Sequence, residues 1–144
     1  HFRGVEGVVM FNRFYEPDID IEKMTITSAG VLSTSDEKRY VLRWIAMASA
    51  LGFDLDISAS TGVKNGEDAV KYLLAGAKTV QVCSVLYEKG LPYIKTINSQ
   101  IAGWMERKGF KSIDEFAGKL NYSSIEKPSV FERTQFMRYF SSHE

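Results

Sequence analysis

Four residues in this sequence follow three short apolar runs, and they are the residues best placed to bind a ligand. Asn12 follows the first run, Gly62 follows the second, and Cys83 and Ser84 follow the third. If the runs are parallel strands, their carboxyl ends meet at one edge of a sheet, where converging loop amides suit a phosphate. The alternative is that Gly62 only shapes a turn and Ser84 only caps a helix. The spacing alone leaves both interpretations open.

Asn12 and Gly30 each have features suited to ligand contact. The amide of Asn12 offers donors and an acceptor, which fits a flat ligand that carries amides or a carboxylate, although Asn12 could instead only cap a turn. The segment Tyr15–Ser33 has no clear period apart from a β-like stretch at Met24–Thr27, and a loop of this length usually covers a site. Gly30 near its end would let the backbone approach a cofactor closely, or would only make the loop flexible.

A strand, a helix and a second strand position Gly62 and Ser84. Alternation predicts a strand at Asp54–Ala59, and a second one follows at Thr79–Cys83. Asn65 is placed to cap the helix between them, with the acidic pair Glu67-Asp68 in its first turn and Gly76 at its end. Two strands joined by one helix over this distance predict a right-handed βαβ unit with parallel strands.

The same alternation extends in both directions. Val5–Phe11 is an apolar run typical of a strand covered on both faces. A capping box formed by Thr34 and Glu37 opens a helix whose apolar face comprises Val41, Trp44, Ile45, Ala48 and Leu51. Downstream we expect a helix at Leu91–Lys108, a short helix at Ser112–Leu120, a polar linker at Asn121–Ser129 and a last helix at Val130–Phe140.

The fold class predicted from this order is α/β, with about three βα units. Three parallel strands alone leave both sheet edges open, and a complete (β/α)₈ barrel takes about 250 residues. The chain therefore looks like the carboxyl-terminal part of a TIM barrel, with residues 1–120 as the partial barrel and 121–144 as a linker and terminal helix. The abrupt start at His1 suggests that a segment is missing upstream.

Composition excludes several function classes. The chain has 144 residues, of which 44% are apolar, so one core can form. Eighteen basic and eighteen acidic residues cancel, so no excess charge points to nucleic acid or an anionic membrane. One cysteine permits no internal disulfide, which fits the cytoplasm. No apolar run reaches the roughly 20 residues of a membrane span.

Three segments together resemble one enzyme family. TGVKNGEDAVKYLLAGAKTVQVCSVLY (Thr61–Tyr87) resembles the FMN-phosphate segment of the dihydroorotate dehydrogenases. GWMERKGFKSIDEFAGKL (Gly103–Leu120) is similar to the end of their class 1 members, and MFNRF (Met10–Phe14) contains an asparagine where the family has its own. The segment VQVCS (Val80–Ser84) is also similar to the corresponding segment of the dihydropyrimidine dehydrogenases, which share the barrel.

The resemblance implies a set of contacts. The residues expected to bind the FMN cofactor are Gly30, Thr61, Gly62, Cys83 and Ser84, and the residue expected to bind the pyrimidine substrate is Asn12. Thr61 stands where the family has the first glycine of a pair, and Arg13 stands where it usually has a small hydroxyl residue. Cys83 matches a phosphate-loop position, so we expect a small buried side chain beside the ligand and not a catalytic base.

The resemblance implies that the chain is a fragment of an FMN-dependent oxidoreductase that converts dihydroorotate to orotate in pyrimidine biosynthesis. The family's catalytic base and its flavin-contacting lysine lie on earlier strands, so the chain alone should be inactive. We expect a cytoplasmic homo-oligomer with a small-molecule pyrimidine substrate, no nucleic acid and no membrane. The alternatives are a dihydropyrimidine dehydrogenase-like fragment, or a non-catalytic, phosphate-binding half-barrel that self-associates to cover its open edges.

Overall fold

The computed structural model describes residues 4–14, 16–28 and 30–132 of the chain. Its strands are β1 (Gly7–Met10), β2 (Pro17–Asp20), β3 (Thr25–Ser28), β4 (Asp56–Ala59) and β5 (Thr79–Val80). Its α-helices are α1 (Lys38–Ala48), α2 (Gly66–Leu74), α3 (Ser84–Lys89) and α4 (Tyr93–Lys108). Short 3₁₀ turns lie at Ser35–Glu37, Ile113–Glu115 and Pro128–Phe131.

The central sheet is parallel, with the strand order β1-β4-β5. Val8 pairs with Ile57 and Met10 with Ala59, while Ala59 pairs with Val80 on its other side. This confirms the predicted α/β class and the parallel direction of the three strands. Because the strands are parallel and in this register, the residues that follow Met10, Ala59 and Val80 all leave the sheet at one edge.

The long segment between β1 and α1 contains an antiparallel hairpin formed by β2 and β3. The sequence indicated only its second strand, through the β-like stretch at Met24–Thr27. Its first strand was missed because Pro17–Asp20 carries a proline and two aspartates, which are depleted in strands. The hairpin leaves Ile19, Ile21 and Ile26 exposed in this chain.

Helix α1 begins as predicted. The capping box is present, and the main-chain N–H of Thr34 donates to Glu37 Oε1 at 2.7 Å. Val41 and Ile45 are buried against the sheet. Trp44 and Leu51, which the sequence placed on the apolar face, are 46% and 63% exposed. The helix ends at Ala48, so Leu51 lies beyond it.

Helix α2 also follows the sequence prediction. The side chain of Asn65 accepts a hydrogen bond from the main-chain N–H of Asp68 at 2.9 Å, as expected for an N-cap. Gly76 has φ +109° just beyond the helix, in the region that favours glycine. The strand after it is shorter than predicted, because the last ladder bond runs from Gln81 N–H to the Ala59 carbonyl and the chain then turns into α3.

The carboxyl-terminal part differs more from the prediction. Helix α4 ends at Lys108 as expected, with Gly109 in the left-handed conformation. The helix predicted at Ser112–Leu120 is only a 3₁₀ turn, because Phe116 turns into the core and Gly118 takes φ +72°. The Val130–Phe140 helix is described only as far as the 3₁₀ turn, since residues 133–144 lie outside the described residues.

The core lies between the sheet and the helices α1 and α2. Its fully buried members include Val41, Ile45, Ala59, Tyr72 and Val85. Gly66 brings α2 close to α4, since a Cβ there would lie 2.5 Å from the Gln100 side chain. No helix in the described part of the chain combines the length and apolarity that crossing a membrane requires.

Candidate functional site

A cavity of about 180 Å³ lies at the carboxyl edge of the parallel sheet. Five of the six predicted site residues line it: Asn12, Thr61, Gly62, Cys83 and Ser84. The sixth residue, Gly30, does not line the cavity. Its carbonyl accepts a hydrogen bond from the guanidinium of Arg13, and Arg13 does line the cavity. The sheet register therefore places residues from three separate loops around one space.

The loop after β4 has an unusual backbone. Thr61 and Gly62 both have positive φ, at +79° and +74°. A Cβ at Gly62 would lie 2.7 Å from the main-chain nitrogen of Lys38, so only glycine fits. Thr61 is β-branched and disfavours this region, yet its hydroxyl donates to the Phe11 carbonyl at 3.0 Å and its own carbonyl accepts from the Tyr72 hydroxyl at 2.7 Å. These bonds hold a conformation that Thr alone would avoid.

Two serine hydroxyls connect the loops inside the cavity. Ser33 is buried, and both its main-chain N–H and its hydroxyl lie 2.9 Å from Ser84 Oγ. The main-chain N–H of Gly62 points to Ser33 Oγ at 3.4 Å. Sequence reasoning missed Ser33, since a serine beside a capping box looks like part of a turn. Only the three-dimensional arrangement shows that Ser33 contacts both Ser84 and Gly62.

Several main-chain amides around the cavity are available to a ligand. Within the described residues, no acceptor pairs with the amides of Val63, Cys83 or Ser84. Together with the hydroxyls of Ser33 and Ser84 they form a donor-rich set, which suits an anion such as a phosphate. The cavity is smaller than the roughly 300 Å³ at which pockets for whole small molecules begin. It therefore matches one anionic group rather than an entire cofactor.

A cation lies at the rim of this cavity. Arg13 Nε donates to Glu37 Oε2 at 2.9 Å, and Arg13 Nη2 lies 3.4 Å from Glu16 Oε2. Burial raises the pKa of Glu37, but hydrogen bonds from the Thr34 amide and from Arg13, with the Arg13 charge, outweigh burial and hold that pKa below its ordinary value. The ionised Glu37 thus fixes Arg13 between the Asn12 loop and Gly30.

A buried carboxylate holds the other side of the Gly62 loop. Asp68 is 2% exposed, and its side chain lies 2.6 Å from Lys38 Nζ and accepts from the Lys64 main-chain N–H at 3.0 Å. The sequence predicted Asp68 only as an acidic residue favoured by the helix dipole. Its role as a contact between the loop, α1 and α2 depends on pairing across the fold, which spacing does not reveal.

The expectation that Cys83 is a buried side chain is wrong. Cys83 is exposed and precedes α3 in a non-helical conformation. The strand that should have carried it inward ends at Val80, so the inward alternation of the strand does not extend to Cys83. Cys83 nevertheless lines the cavity, and the predicted phosphate contact requires only its main-chain amide.

The larger cavity of this chain is separate from the candidate site. A larger cavity of about 690 Å³ lies between α2 and α4, and none of the predicted site residues lines it. Among the described residues, no group of three or more His, Cys, Asp or Glu side chains could hold a metal ion. The cavity at the sheet edge is therefore where the predicted residues and the anion-binding groups coincide.

A comparison with known protein families shows which family this chain is related to. The family model for dihydroorotate dehydrogenase matches residues 3–105, which is more than half of the chain. The chain belongs to the dihydroorotate dehydrogenase family. The matched range includes every strand and helix that surrounds the cavity, and it confirms the family resemblance found in the sequence.

Curated members of the dihydroorotate dehydrogenase family show the extent of the similarity. The dihydroorotate dehydrogenase (fumarate) of Saccharomyces mikatae is 38% identical over 68 residues, which is 47% of this chain and 22% of the relative. The same enzyme of Saccharomyces cerevisiae is 37% identical over 68 residues, with the same coverage. That of Lachancea kluyveri is 36% identical over 76 residues, or 53% of this chain and 24% of the relative. The matched segment thus spans about a quarter of these relatives, whose names agree with the class 1 resemblance.

Proposed function

We propose that this chain is the carboxyl-terminal part of an FMN-dependent dihydroorotate dehydrogenase-like oxidoreductase, and that it binds the phosphate of FMN in the cavity at the sheet edge. One observation carries the proposal: Gly62, Ser33 and Ser84 come from three loops and meet in one donor-rich cavity of about 180 Å³. Family membership supports FMN as the cofactor, and the donor-rich cavity supports this edge of the sheet as the place that would hold its phosphate.

The residues present fit a phosphate group. The amides of Thr61, Gly62, Cys83 and Ser84 belong to residues that line the cavity, and the Ser84 hydroxyl contacts Ser33, which also lines it. Main-chain amides in a left-handed turn form a concave donor set that favours anions. FMN, when bound, would supply the redox chemistry by accepting a hydride, while the protein supplies position and electrostatics. Gly30 would lie near the flavin through its contact with Arg13.

Asn12 is proposed as a contact to the pyrimidine substrate. Its Oδ1 accepts from the main-chain N–H of Arg13 at 2.9 Å, which orients the amide and leaves its Nδ2 hydrogens to donate. A carboxylate or ring carbonyl of dihydroorotate offers the matching acceptor. The Arg13 guanidinium at the same rim adds positive charge, although Glu37 neutralises part of it. Asn12 would then bind and orient the substrate without exchanging a proton with it.

The remaining parts of the enzyme would come from outside these residues. We propose that residues 1–120 form the closing βα units of a TIM barrel and that 121–144 form a terminal extension. The sheet edges at β1 and β5 would then continue into the rest of the barrel, which would carry the catalytic base and the flavin-contacting lysine. On this proposal the chain alone is inactive, and the parent enzyme is a cytoplasmic homo-oligomer.

A titration of the purified chain with FMN tests the proposal. We expect quenching of flavin fluorescence on binding, and weaker binding of riboflavin, which lacks the phosphate. With FMN added, dihydroorotate and an artificial electron acceptor should give no turnover. Equal affinity for FMN and riboflavin, or no affinity for either, would contradict the proposed phosphate site, and turnover would contradict the missing base.

A self-associating half-barrel is the second candidate, and exposed apolar side chains favour it. Val9 on β1 is 52% exposed, and Ile19 and Ile26 on the hairpin are 63% and 71% exposed. Pairing between copies would bury these side chains and the open strand edge. Sedimentation at micromolar concentration separates the candidates, because a monomer that binds FMN supports the first, and an oligomer that does not bind FMN supports the second.

A further inference from the structure

We propose that helix α2 positions the anion-binding loop through a brace formed by two buried side chains, Asp68 and Tyr72. The inference deepens the proposed function, because the loop that the brace holds is the one proposed to bind the FMN phosphate. Neither residue lines the cavity. Both are therefore positioning residues, which act on the ligand through the backbone of the loop.

The geometry of the brace follows from helical spacing. Asp68 and Tyr72 are four residues apart in α2, so they lie one turn apart on the same face. Tyr72 donates from its hydroxyl to the carbonyl of Thr61 at 2.7 Å, and Asp68 accepts from the main-chain N–H of Lys64 at 3.0 Å. The two contacts hold the loop on both sides of Gly62 and Val63, the residues that line the cavity between them.

The environment of the brace keeps it in place. Tyr72 and Asp68 are 0% and 2% exposed. Lys38 from α1 contacts both, with its Nζ 2.6 Å from Asp68 Oδ1 and its carbonyl 3.5 Å from the Tyr72 hydroxyl. Burial, and then the charges of Asp68 and Glu37, raise the pKa of Tyr72, so its hydroxyl keeps the proton that it donates to Thr61.

The loop requires such support because of its backbone. Thr61 has φ +79°, a conformation that β-branched residues disfavour and that persists only where surrounding contacts impose it. Without the Tyr72 hydroxyl, the Thr61 carbonyl would lose the hydrogen-bond donor that fixes the peptide between Thr61 and Gly62. The expected consequence is that the amides of Gly62 and Val63 would no longer point in one fixed direction, and an anion would bind them less tightly.

The variants Tyr72→Phe and Asp68→Asn test the brace in the 144-residue chain. Tyr72→Phe removes the hydroxyl that donates to Thr61, and Asp68→Asn removes the negative charge of the carboxylate. Neither substitution changes the side-chain volume much. Glu67→Gln is the matched control for Asp68→Asn, because Glu67 is the neighbouring first-turn acid and its side chain is 73% exposed and forms an ion pair with Lys71. Tyr40→Phe is the control for Tyr72→Phe, because Tyr40 is 74% exposed. Thermal unfolding confirms that each variant is folded at the assay temperature.

The readout is the ratio of the affinities for FMN and riboflavin. We expect each brace variant to lose FMN affinity roughly five- to tenfold, as for one lost hydrogen bond, and to leave riboflavin affinity unchanged. Both controls should leave both affinities unchanged. A general loss of folding would lower the two affinities together, so an equal loss for FMN and riboflavin, or no loss, overturns the brace.

Amide hydrogen exchange tests the brace independently of the cofactor. In Tyr72→Phe we expect the Gly62 and Lys64 amides to exchange faster than in the wild-type chain and in Tyr40→Phe. Unchanged exchange at both amides overturns the brace. If the wild-type chain binds no FMN but these amides respond as expected, the proposed function fails and the brace remains.

Discussion

Gly62 packs directly against the first residue of α1: a Cβ at Gly62 would lie 2.7 Å from the main-chain nitrogen of Lys38 and 2.9 Å from its Cβ. The contact brings the loop after β4 against the start of a helix from another βα unit. Lys38 in turn forms the ion pair with Asp68. The candidate phosphate loop therefore lies between α1 and α2, and its conformation requires that residue 62 has no side chain.

We expect Gly62→Ala to destabilise the chain and to abolish phosphate binding. The substitution combines a steric overlap with Lys38 and a positive φ, each of which costs about 1–3 kcal/mol. Urea unfolding measures the first effect and FMN titration the second. Gly109→Ala is the control, since Gly109 has φ +76° with no atom within 4 Å of the added Cβ. It should lose only the smaller, conformational part of the stability and keep FMN affinity; a Gly62→Ala chain as stable as Gly109→Ala would contradict the steric argument.

The two cavity serines should behave as a coupled pair. Ser33→Ala and Ser84→Ala each remove the 2.9 Å contact between the hydroxyls, so we expect each to cost about 1 kcal/mol of unfolding free energy. The double variant should cost less than the sum, because the shared contact is lost only once. Ser123→Ala is the control, because the Ser123 hydroxyl donates to Asn121 Oδ1 in an exposed contact. Additive costs would show that the hydroxyls do not form a stabilising contact.

Glu37 should make stability depend on pH in the acid range. Its pKa in the folded chain lies below the ordinary value of 4.5, so its stabilisation is fully present above pH 4.5 and is lost as the pH falls through the folded pKa. Glu37→Gln should therefore be less stable than the wild type at pH 7, and the difference should shrink towards pH 3. Urea unfolding across this range measures it.

Glu16→Gln serves as the control for the pH experiment. Glu16 also faces Arg13, but at 3.4 Å and with its side chain 51% exposed, so its removal should change stability little at any pH. A constant difference between wild type and Glu37→Gln from pH 7 to pH 3 would contradict the lowered pKa. It would show that the contact does not depend on the charge of Glu37.

Local patterns in the sequence predicted much of the fold. The capping box at Thr34 and the Asn65 cap depend on neighbouring residues, and both are present as expected. The parallel sheet follows from strands joined by helices, which leave few other arrangements. The family resemblance predicted that Gly62 and Ser84 belong to one phosphate site. In the structure both residues line the same cavity at the edge of the sheet.

What the sequence could not predict depends on contacts across the fold. Ser33 and Tyr72 carry no local signal, because one adjoins a capping box and the other is an aromatic residue on an apolar helix face. The family resemblance predicted a buried Cys83 side chain beside the ligand, but the strand ends at Val80 and the chain turns into α3, and Cys83 is exposed. The hairpin strand at Pro17–Asp20 was missed because its residues disfavour strands and only its pairing with Thr25–Ser28 forms it.

The most direct test of the account is to titrate the isotopically labelled chain with FMN and follow its backbone amide resonances. Convergence of three loops on one phosphate predicts that the amides of Gly62 and Ser84 shift together on binding, while that of Gly109, at the far end of α4, does not. Riboflavin should leave Gly62 and Ser84 less affected than FMN does. Shifts confined to Gln100 and Trp104, in the larger cavity between α2 and α4, or no shift at Gly62 and Ser84, would contradict the central claim.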